Sequence, residues 1–295
     1  MENDKYFNNF INYLRIEKRL SSNTIFNYSL DIKKFYKFFN NKIDNLTKEN
    51  IDKYIKSLNN NDASSINRNI TSIRQFLKFL IKNNIYEEKI LDNLEYRKTP
   101  KKLPKFLTIE EIDRLLNIKL NTSFDYRNKA MFELMYSTGL RITELISLTL
   151  NSIDLENCML RTMGKGKKER IIPIGDEAIK WVKLYINEHR NSLIKKKNKV
   201  TDILFLNNHG KILSRSGFNM ILKAIASENK IDKYLTPHVI RHSFATHLVE
   251  NGADIRVVQE LLGHENIETT EIYTHISNKY IIDNYRNCHP RSKKE

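Results

Sequence analysis

From residue 4 to residue 95, apolar side chains recur every three or four positions with no sustained alternation of apolar and polar, the pattern of amphipathic helices rather than strands. Ser22 precedes a run carrying Ile25, Tyr28, Ile32, Phe35 and Phe39, and Thr47 precedes Ile51, Tyr54, Ile55 and Leu58. A further run holds Ile66, Ile70, Ile73, Leu77 and Leu80. Ser22 and Thr47 are assigned as N-caps, because a hydroxyl there accepts an N–H that the first helical turn leaves unpaired. The pattern predicts a compact all-α domain over residues 1–97.

The period then breaks. Residues 97–105, RKTPKKLPK, contain two prolines, five basic side chains and no acid, a composition that resists both helix and strand and predicts a basic linker over 98–107. Thr108 with Glu111 forms a capping box and opens a second domain over 108–295. A helix near Tyr126 to Ser137 ends at Gly139, and Arg141 begins the next turn of chain, with Leu145 and Leu148 continuing the apolar side. Between Met159 and Ile174 the period changes to that of a β-hairpin, with Lys165 in an exposed Gly-Lys-Gly tip. Helices resume at 176–189 and 214–227, separated by the lysines 195–197 and 199, read as a solvated loop, and by a short ILFL strand. Thr236-Pro237 starts another helix, docked by Ile240, Phe244 and Leu248, with His238 and Arg241 three residues apart on one face. Unpaired N–H groups and the positive dipole end gather at that start, where an anion is favoured. Gly252 ends this helix, Asp254 caps the next, and Gly263 ends that one, so His264 emerges from a turn. The fold class is mainly α with a small β-sheet, in two domains.

Charge narrows the partner. Fifty Lys and Arg against 35 Asp and Glu give +15, a balance suited to a polyanion, with nucleic acid the first candidate. The 40% apolar content, with 14 Phe and 14 Tyr, supplies a folded core. The start MENDKYFNNF does not read as a signal peptide, and no run of about 18 apolar residues occurs, so no membrane partner and a cytoplasmic location are expected. Cys158 and Cys288 fit neither a disulfide framework nor a zinc spacing. His238, His242 and His247 lack an HExxH pattern or a nearby acidic ligand, so His242 and His247 are read as hydrogen-bonded structural histidines. The GKG at 164–166 lacks the phosphate-loop pattern. No metal and no cofactor are expected.

Two arginines, a lysine on a hairpin tip, two histidines and a tyrosine, without a carboxylate cluster, suit metal-free attack on a phosphodiester. The planar, permanently charged guanidinium is well shaped to receive the charge that develops on the phosphoryl oxygens. A tyrosine hydroxyl can store the bond as a phosphotyrosine. Taken singly, each feature has an ordinary reading: Tyr273 as a core tyrosine, Lys165 as a charged turn, Arg141 with Glu144 as a structural ion pair. Lys167, Lys168 and Arg170 read as contacts to a DNA backbone or as solvated.

Spacing alone does not choose Tyr273 among fourteen tyrosines; a family resemblance does. T138-GLRITEL-I146, M163-GKGKKER-I171, T236-PHVIRHSFATHL-V249 and L262-GHENIETTEIYTH-I276 resemble, in order and separation, the motifs of the tyrosine recombinases, the phage integrase family, and specifically its Xer type. R19-LSSNTIFNYSLDI-K33 and S65-INRNITSIRQFLKF-L80 resemble the family's helical SAM-like core-binding domain, and C288-HPR-S292 the Xer tail, its D-type slightly more. Ile240 stands where the family usually has leucine. The resemblance implies an N-terminal DNA-binding domain followed by an α+β catalytic domain. It implies a site-specific recombinase acting on double-stranded DNA through a 3′-phosphotyrosyl bond, in the resolution of chromosome or plasmid dimers. Arg141, Arg241 and His264 would stabilise the transition state, His238 would help move the nucleophile's proton, Lys165 would be general acid to the 5′-oxygen, and Tyr273 the nucleophile. Glu144 would orient the site. Ser22, Asn23, Thr24, Arg68, Arg74 and Lys167 are candidate DNA contacts. A DNA-bound homo- or hetero-tetramer with a related recombinase is implied, its last helix, near Tyr280 to Asn287, docking on a neighbour, and a DNA translocase is a candidate activator. Alternatives are an integrase or excisionase of a mobile element, a type IB-like topoisomerase, and a sequence-specific DNA-binding protein with a vestigial site.

Overall fold

A computed structural model describes residues 5–292 apart from 44, 60–61, 93, 100–104, 165–168, 195–200, 232–234 and 264–277. The chain divides into two compact units, Met1–Lys102 and Leu103–Glu295.

Among its described residues the first unit contains helices and no strand: α1 (Lys5–Ile16), α2 (Ser22–Phe38), α3 (Lys48–Ser57) and α4 (Ala63–Lys82), then a 3₁₀ turn at Glu88–Leu91. The expected stripes face inward, with Ile32, Phe35, Ile70, Ile73, Leu77 and Leu80 fully buried around Phe10 and Phe76, whose rings meet edge-on at 5.0 Å. Thr47 caps α3 as expected, but α2 is capped by Ser21 rather than Ser22. The Ser21 hydroxyl accepts from the Thr24 N–H at 3.2 Å, so the boundary moves by one residue.

The second unit carries the small sheet. Its helices are α5 (Ile109–Leu116), α6 (Ser123–Thr138), α7 (Ile142–Ile146), α8 (Asp176–Leu184), α9 (Arg215–Glu228), α10 (Pro237–Glu250), α11 (Ile255–Leu262) and α12 (Asn278–Cys288). Strands β1 (Ile153–Asp154), β2 (Met159–Met163) and β3 (Glu169–Pro173) pair antiparallel in the order β1-β2-β3, with Leu160 opposite Ile172 in the hairpin. The expected ILFL strand is reduced to isolated bridges, Thr149 with Ile203 and Leu206 with Ile212; Leu204, Phe205 and Leu206 are buried in the core, and a short apolar run does not by itself separate a strand from other buried chain. Thr108 and Glu111 form the expected capping box. Leu107, placed by the sequence at the end of the linker, is buried in this unit, and its N–H donates to Ser243 Oγ at 2.8 Å.

Helix α6 is the axis of the unit. It is buried from Lys129 through Thr138, and its polar members are satisfied within the core. Lys129 Nζ donates to the Leu116 carbonyl at 2.6 Å and pairs with Glu133 at 2.9 Å, while Glu133 also receives Arg291 from the tail. The C-terminal helix, expected to dock on a neighbour in the DNA-bound assembly, packs in the single chain on α10 and α11. Tyr285 is buried against α6, its hydroxyl donating to the Ser137 carbonyl at 2.9 Å, and the His289 ring stacks on Tyr285.

Candidate active site

Two helix ends build the site. Both α6 and α11 stop at a glycine in the left-handed region, Gly139 (φ 59°) and Gly263 (φ 64°), and the last carbonyls of each helix are left without helical partners. Arginines occupy them. Arg241, on the buried face of α10, donates from Nη1 to the Gly139 carbonyl and from Nη2 to the Leu262 carbonyl, both at 2.6 Å. Arg141, which follows Gly139 by two residues, donates from Nη2 to the Gly263 carbonyl at 3.1 Å. The two guanidinium groups therefore hold carbonyls of consecutive residues and lie side by side, and the negative end of each helix dipole faces them.

Glu144 ties the arrangement together. Its carboxylate accepts the Arg141 backbone N–H at 2.8 Å and Arg141 Nη1 at 3.0 Å. From the other side Arg170 of β3 closes a two-point fork on the same carboxylate, Nη1 to Oε1 at 3.0 Å and Nη2 to Oε2 at 2.9 Å. Burial alone would raise the Glu144 pKa, but the hydrogen bonds from Arg170 and from Arg141 hold it below the usual carboxylate range. Arg241 is pushed down to about 10, first by burial and then by the neighbouring charge of Arg141, with Glu144 opposing. Three guanidinium groups thus lie near one carboxylate, which two of them contact, and carbonyl acceptors satisfy N–H groups without cancelling charge. The Arg141 side chain remains 33% exposed, so the surplus is presented to solvent at that residue. A site of this kind is short of an anion.

The expected pair of His238 and Arg241 is divided by burial. Arg241 points into the core, while His238 is exposed on the first turn of α10, where Thr236 caps the helix and Pro237 fills the first position. His238 lines a cavity of about 860 Å³ with Ile142, Arg215, Asn219, Lys223 and Lys230. His247 is structural as expected, its Nδ1 2.8 Å from the Tyr136 hydroxyl, and His242 meets the Phe106 ring edge-on. Lys165, Lys167, His264 and Tyr273 lie outside the described residues.

In the first unit Ser22 and Asn23 are exposed, and Thr24 turns its hydroxyl to Ser21 at 2.8 Å. Arg68 is hydrogen-bonded to the fully buried carboxylate of Asp31, which also accepts from Ser72 Oγ at 2.8 Å. Arg74 donates to the Leu94 carbonyl and lies over the Tyr96 ring at 4.8 Å. Both arginines are thereby engaged in building the unit. Sequence reasoning passed over Arg170, read as a contact to a DNA backbone or as solvated. The one trace in the sequence is parity: in a strand, Arg170 shares a face with the apolar Ile172 and not with Ile171, but nothing there names its partner.

Residues 105–279 match the phage integrase family, and residues 7–84 match the N-terminal SAM-like domain of phage integrases. Tyrosine recombinase XerD of Oceanobacillus iheyensis is 44% identical over 290 residues, covering 96% of this chain and 97% of that one. Tyrosine recombinase XerD of Staphylococcus aureus is 42% identical over 290 residues, covering 96% and 98%. The chain belongs to the phage integrase family, as a site-specific tyrosine recombinase of the Xer type. Among solved structures, XerA recombinase is 30% identical with a TM-score of 0.51, covering 98% of this chain and all of that one. XerH recombinase in a post-cleavage complex with a palindromic difH substrate has a TM-score of 0.72 over 95% of this chain and 94% of that one. At 22% identity that likeness concerns the fold alone. Among the described residues no helix is long and apolar enough to cross a membrane.

Proposed function

We propose that this chain binds double-stranded DNA and exchanges its strands through a 3′-phosphotyrosyl intermediate formed by Tyr273, without a divalent metal. The observation that carries the reading is the placement of Arg141 and Arg241 on carbonyls of adjacent residues around a single carboxylate, with positive charge in excess. A phosphate seated there meets two multi-donor cations held before it arrives, and electrostatic stabilisation of this prearranged kind is usually the largest contribution to catalysis. The phenolic oxygen of Tyr273 forms its bond to phosphorus as the bond to the 5′-oxygen breaks. His238 receives the phenol proton, and Lys165 delivers one to the departing oxygen. His264 joins the arginines on the non-bridging oxygens. Rejoining reverses these steps and needs no ATP, because the bond energy is kept in the phosphotyrosine.

The DNA contacts we assign outside the site are Ser22, Asn23 and Thr24 at the head of α2, and Lys167. Arg68 and Arg74 would act only through their remaining donors. Four strand cuts require four active subunits, so the working assembly is a tetramer on DNA, with itself or with a related recombinase, and its role is the resolution of chromosome or plasmid dimers in the cytoplasm.

Incubation of wild type and Tyr273→Phe with genomic fragments carrying a suicide nick, followed by sequencing of what becomes covalently attached, tests the chemistry and finds the site together. Wild type should trap one short sequence in EDTA, and Tyr273→Phe should bind it without forming an adduct. Trapping at many unrelated sequences would favour a type IB-like topoisomerase. No adduct from wild type would leave a DNA-binding protein with a vestigial site, and loss of cleavage in EDTA would overturn the metal-free step.

A further inference from the structure

We infer that Arg170, on the hairpin strand β3, is a positioning residue that sets Arg141 for the scissile phosphate by fixing the Glu144 carboxylate between them. This deepens the recombinase reading and rests on it.

Glu144 is the only carboxylate that the described contacts give to Arg141, and it is nearly buried, 7% exposed. A buried carboxylate with a free rotamer would swing toward whichever cation held it better. The Arg170 fork removes that freedom. Its two N–H groups take one oxygen each, at 3.0 and 2.9 Å, so the carboxylate plane is defined by Arg170 while Arg141 completes it. The guanidinium of Arg170 is itself enclosed, its side chain 9% exposed, and cannot reach a phosphate on the surface side where Arg141 is open. It therefore acts through another residue.

The same guanidinium also supports the second anchor of Arg141. A Cβ added at Gly263 would lie 2.9 Å from Arg170 Nη1 and 3.3 Å from both its Cδ and Cζ. Arg170 thus packs directly on the α-carbon of the residue whose carbonyl accepts Arg141 Nη2 at 3.1 Å. Both groups that orient Arg141, the Glu144 carboxylate and the Gly263 carbonyl, rest on Arg170. Because β3 pairs with β2 in the hairpin whose sequence contains Lys165, the contact also ties that hairpin to the arginine cluster.

A lysine would keep the charge but not the two-point fork, and a methionine would keep the volume without either. The experiment uses the full chain and the duplex site trapped by wild type, and compares Arg170→Met, Arg170→Lys and the charge-neutral pair Glu144→Gln/Arg170→Met. Single-turnover cleavage at saturating protein is measured on the natural phosphodiester and on a duplex with an uncharged methylphosphonate at the scissile position. If Arg170 works through Arg141 on the phosphate charge, Arg170→Met slows the phosphodiester reaction about 10- to 100-fold at unchanged DNA affinity, with Arg170→Lys between it and wild type. On the methylphosphonate, where there is little charge for Arg141 to meet, the deficit should shrink to about 3-fold or less, since the stabilisation lost is electrostatic. Equal deficits on both substrates, tracked by the folded fraction, would show that Arg170 only holds the fold and would overturn the inference. Wild-type rates in Arg170→Met would overturn it as well. The double variant keeps the test open if the single one fails to fold, since it removes the buried carboxylate that Arg170→Met would strip of its fork, and it should show the same selective loss on the phosphodiester. Absence of an adduct from wild type would instead sink the recombinase reading first.

Discussion

Substituting Gly139 by alanine tests whether the end of α6 is as tightly built as the arginine contacts require. Two penalties act there. The residue sits at φ 59°, and a left-handed conformation costs an L-residue about 1–2 kcal/mol. The added methyl would also lie 2.4 Å from Phe244 Cδ1, 2.7 Å from its Cε1 and 3.1 Å from Leu262 Cδ2. Phe244 and Leu262 belong to the same core, 0% and 6% exposed, so neither has open space to retreat into. Overpacking of this kind costs a further 1–3 kcal/mol or so. Gly252 supplies the control: its φ of 88° imposes the backbone penalty, but nothing lies within 4 Å of the added atom. The expected losses are about 2–5 kcal/mol for Gly139→Ala and about 1–2 kcal/mol for Gly252→Ala. The difference of about 1–3 kcal/mol, at roughly 2–4 °C per kcal/mol for a unit of this size, means that differential scanning calorimetry should place Gly139→Ala about 2–12 °C below Gly252→Ala. Equal melting temperatures for the two variants would refute the packing argument. The functional consequence follows from the same contact, since the Gly139 carbonyl anchors Arg241 at 2.6 Å and a shifted helix end moves that anchor.

Two further outcomes concern the tail. His289 is enclosed and its pKa is driven down to about 3, first by burial, so the folded chain stays neutral there while the unfolded chain takes up a proton below about pH 6.5. Stability is therefore full above that pH and falls as pH drops toward 3, by about 2 kcal/mol between pH 7 and pH 5 from this group. His289→Asn should flatten the acid slope of the urea midpoint over that window, and an unchanged slope would rule out His289 as its source. Arg291 holds Glu133, 1% exposed, through Nε at 3.0 Å and Nη2 at 2.7 Å, and Asp113 through Nη1 at 2.7 Å. Arg291→Ala leaves Glu133 with Lys129 alone and should cost about 2–3 kcal/mol in urea unfolding; a loss below about 0.5 kcal/mol would mean the tail is not anchored there.

The sequence was most legible where local chemistry acts alone. The hydroxyl caps at Thr47, Thr108 and Thr236, the left-handed stops at Gly139 and Gly263, and the apolar stripe of Ile240, Phe244 and Leu248 all follow from neighbours within one or two turns. It was least legible where a polar residue serves a distant partner. Arg68 reaches Asp31 across 37 positions and Arg170 reaches Glu144 across 26, and in a single sequence such arginines look like solvated or DNA-facing cations. The ILFL segment misled for a related reason: a short apolar run buried in the core reads the same in sequence whether or not it pairs as a strand. The tail was legible only in part: its apolar residues specify that it docks, while Ser137 and Glu133, which accept it within the chain, carry no sign of this in their own surroundings.

These long-range contacts share a direction. Ser137, Gly139, Arg141 and Glu144 fall within eight consecutive positions, and they meet, in turn, the C-terminal helix through Tyr285, the α10 arginine, the α11 carbonyl and the hairpin arginine. Four separate elements of the second unit are thus referenced to one short stretch of chain at the end of its most buried helix. A guanidinium that must meet a phosphate gains from such a reference point, because a cation already held by fixed acceptors loses little freedom when the anion arrives. The same logic makes the stretch intolerant: each of its residues answers to a different part of the unit, so substitutions within it should couple rather than add. Combining Gly139→Ala with Arg170→Met is the case where that coupling is most directly exposed, since the first displaces the Arg241 anchor and the second the Arg141 anchor.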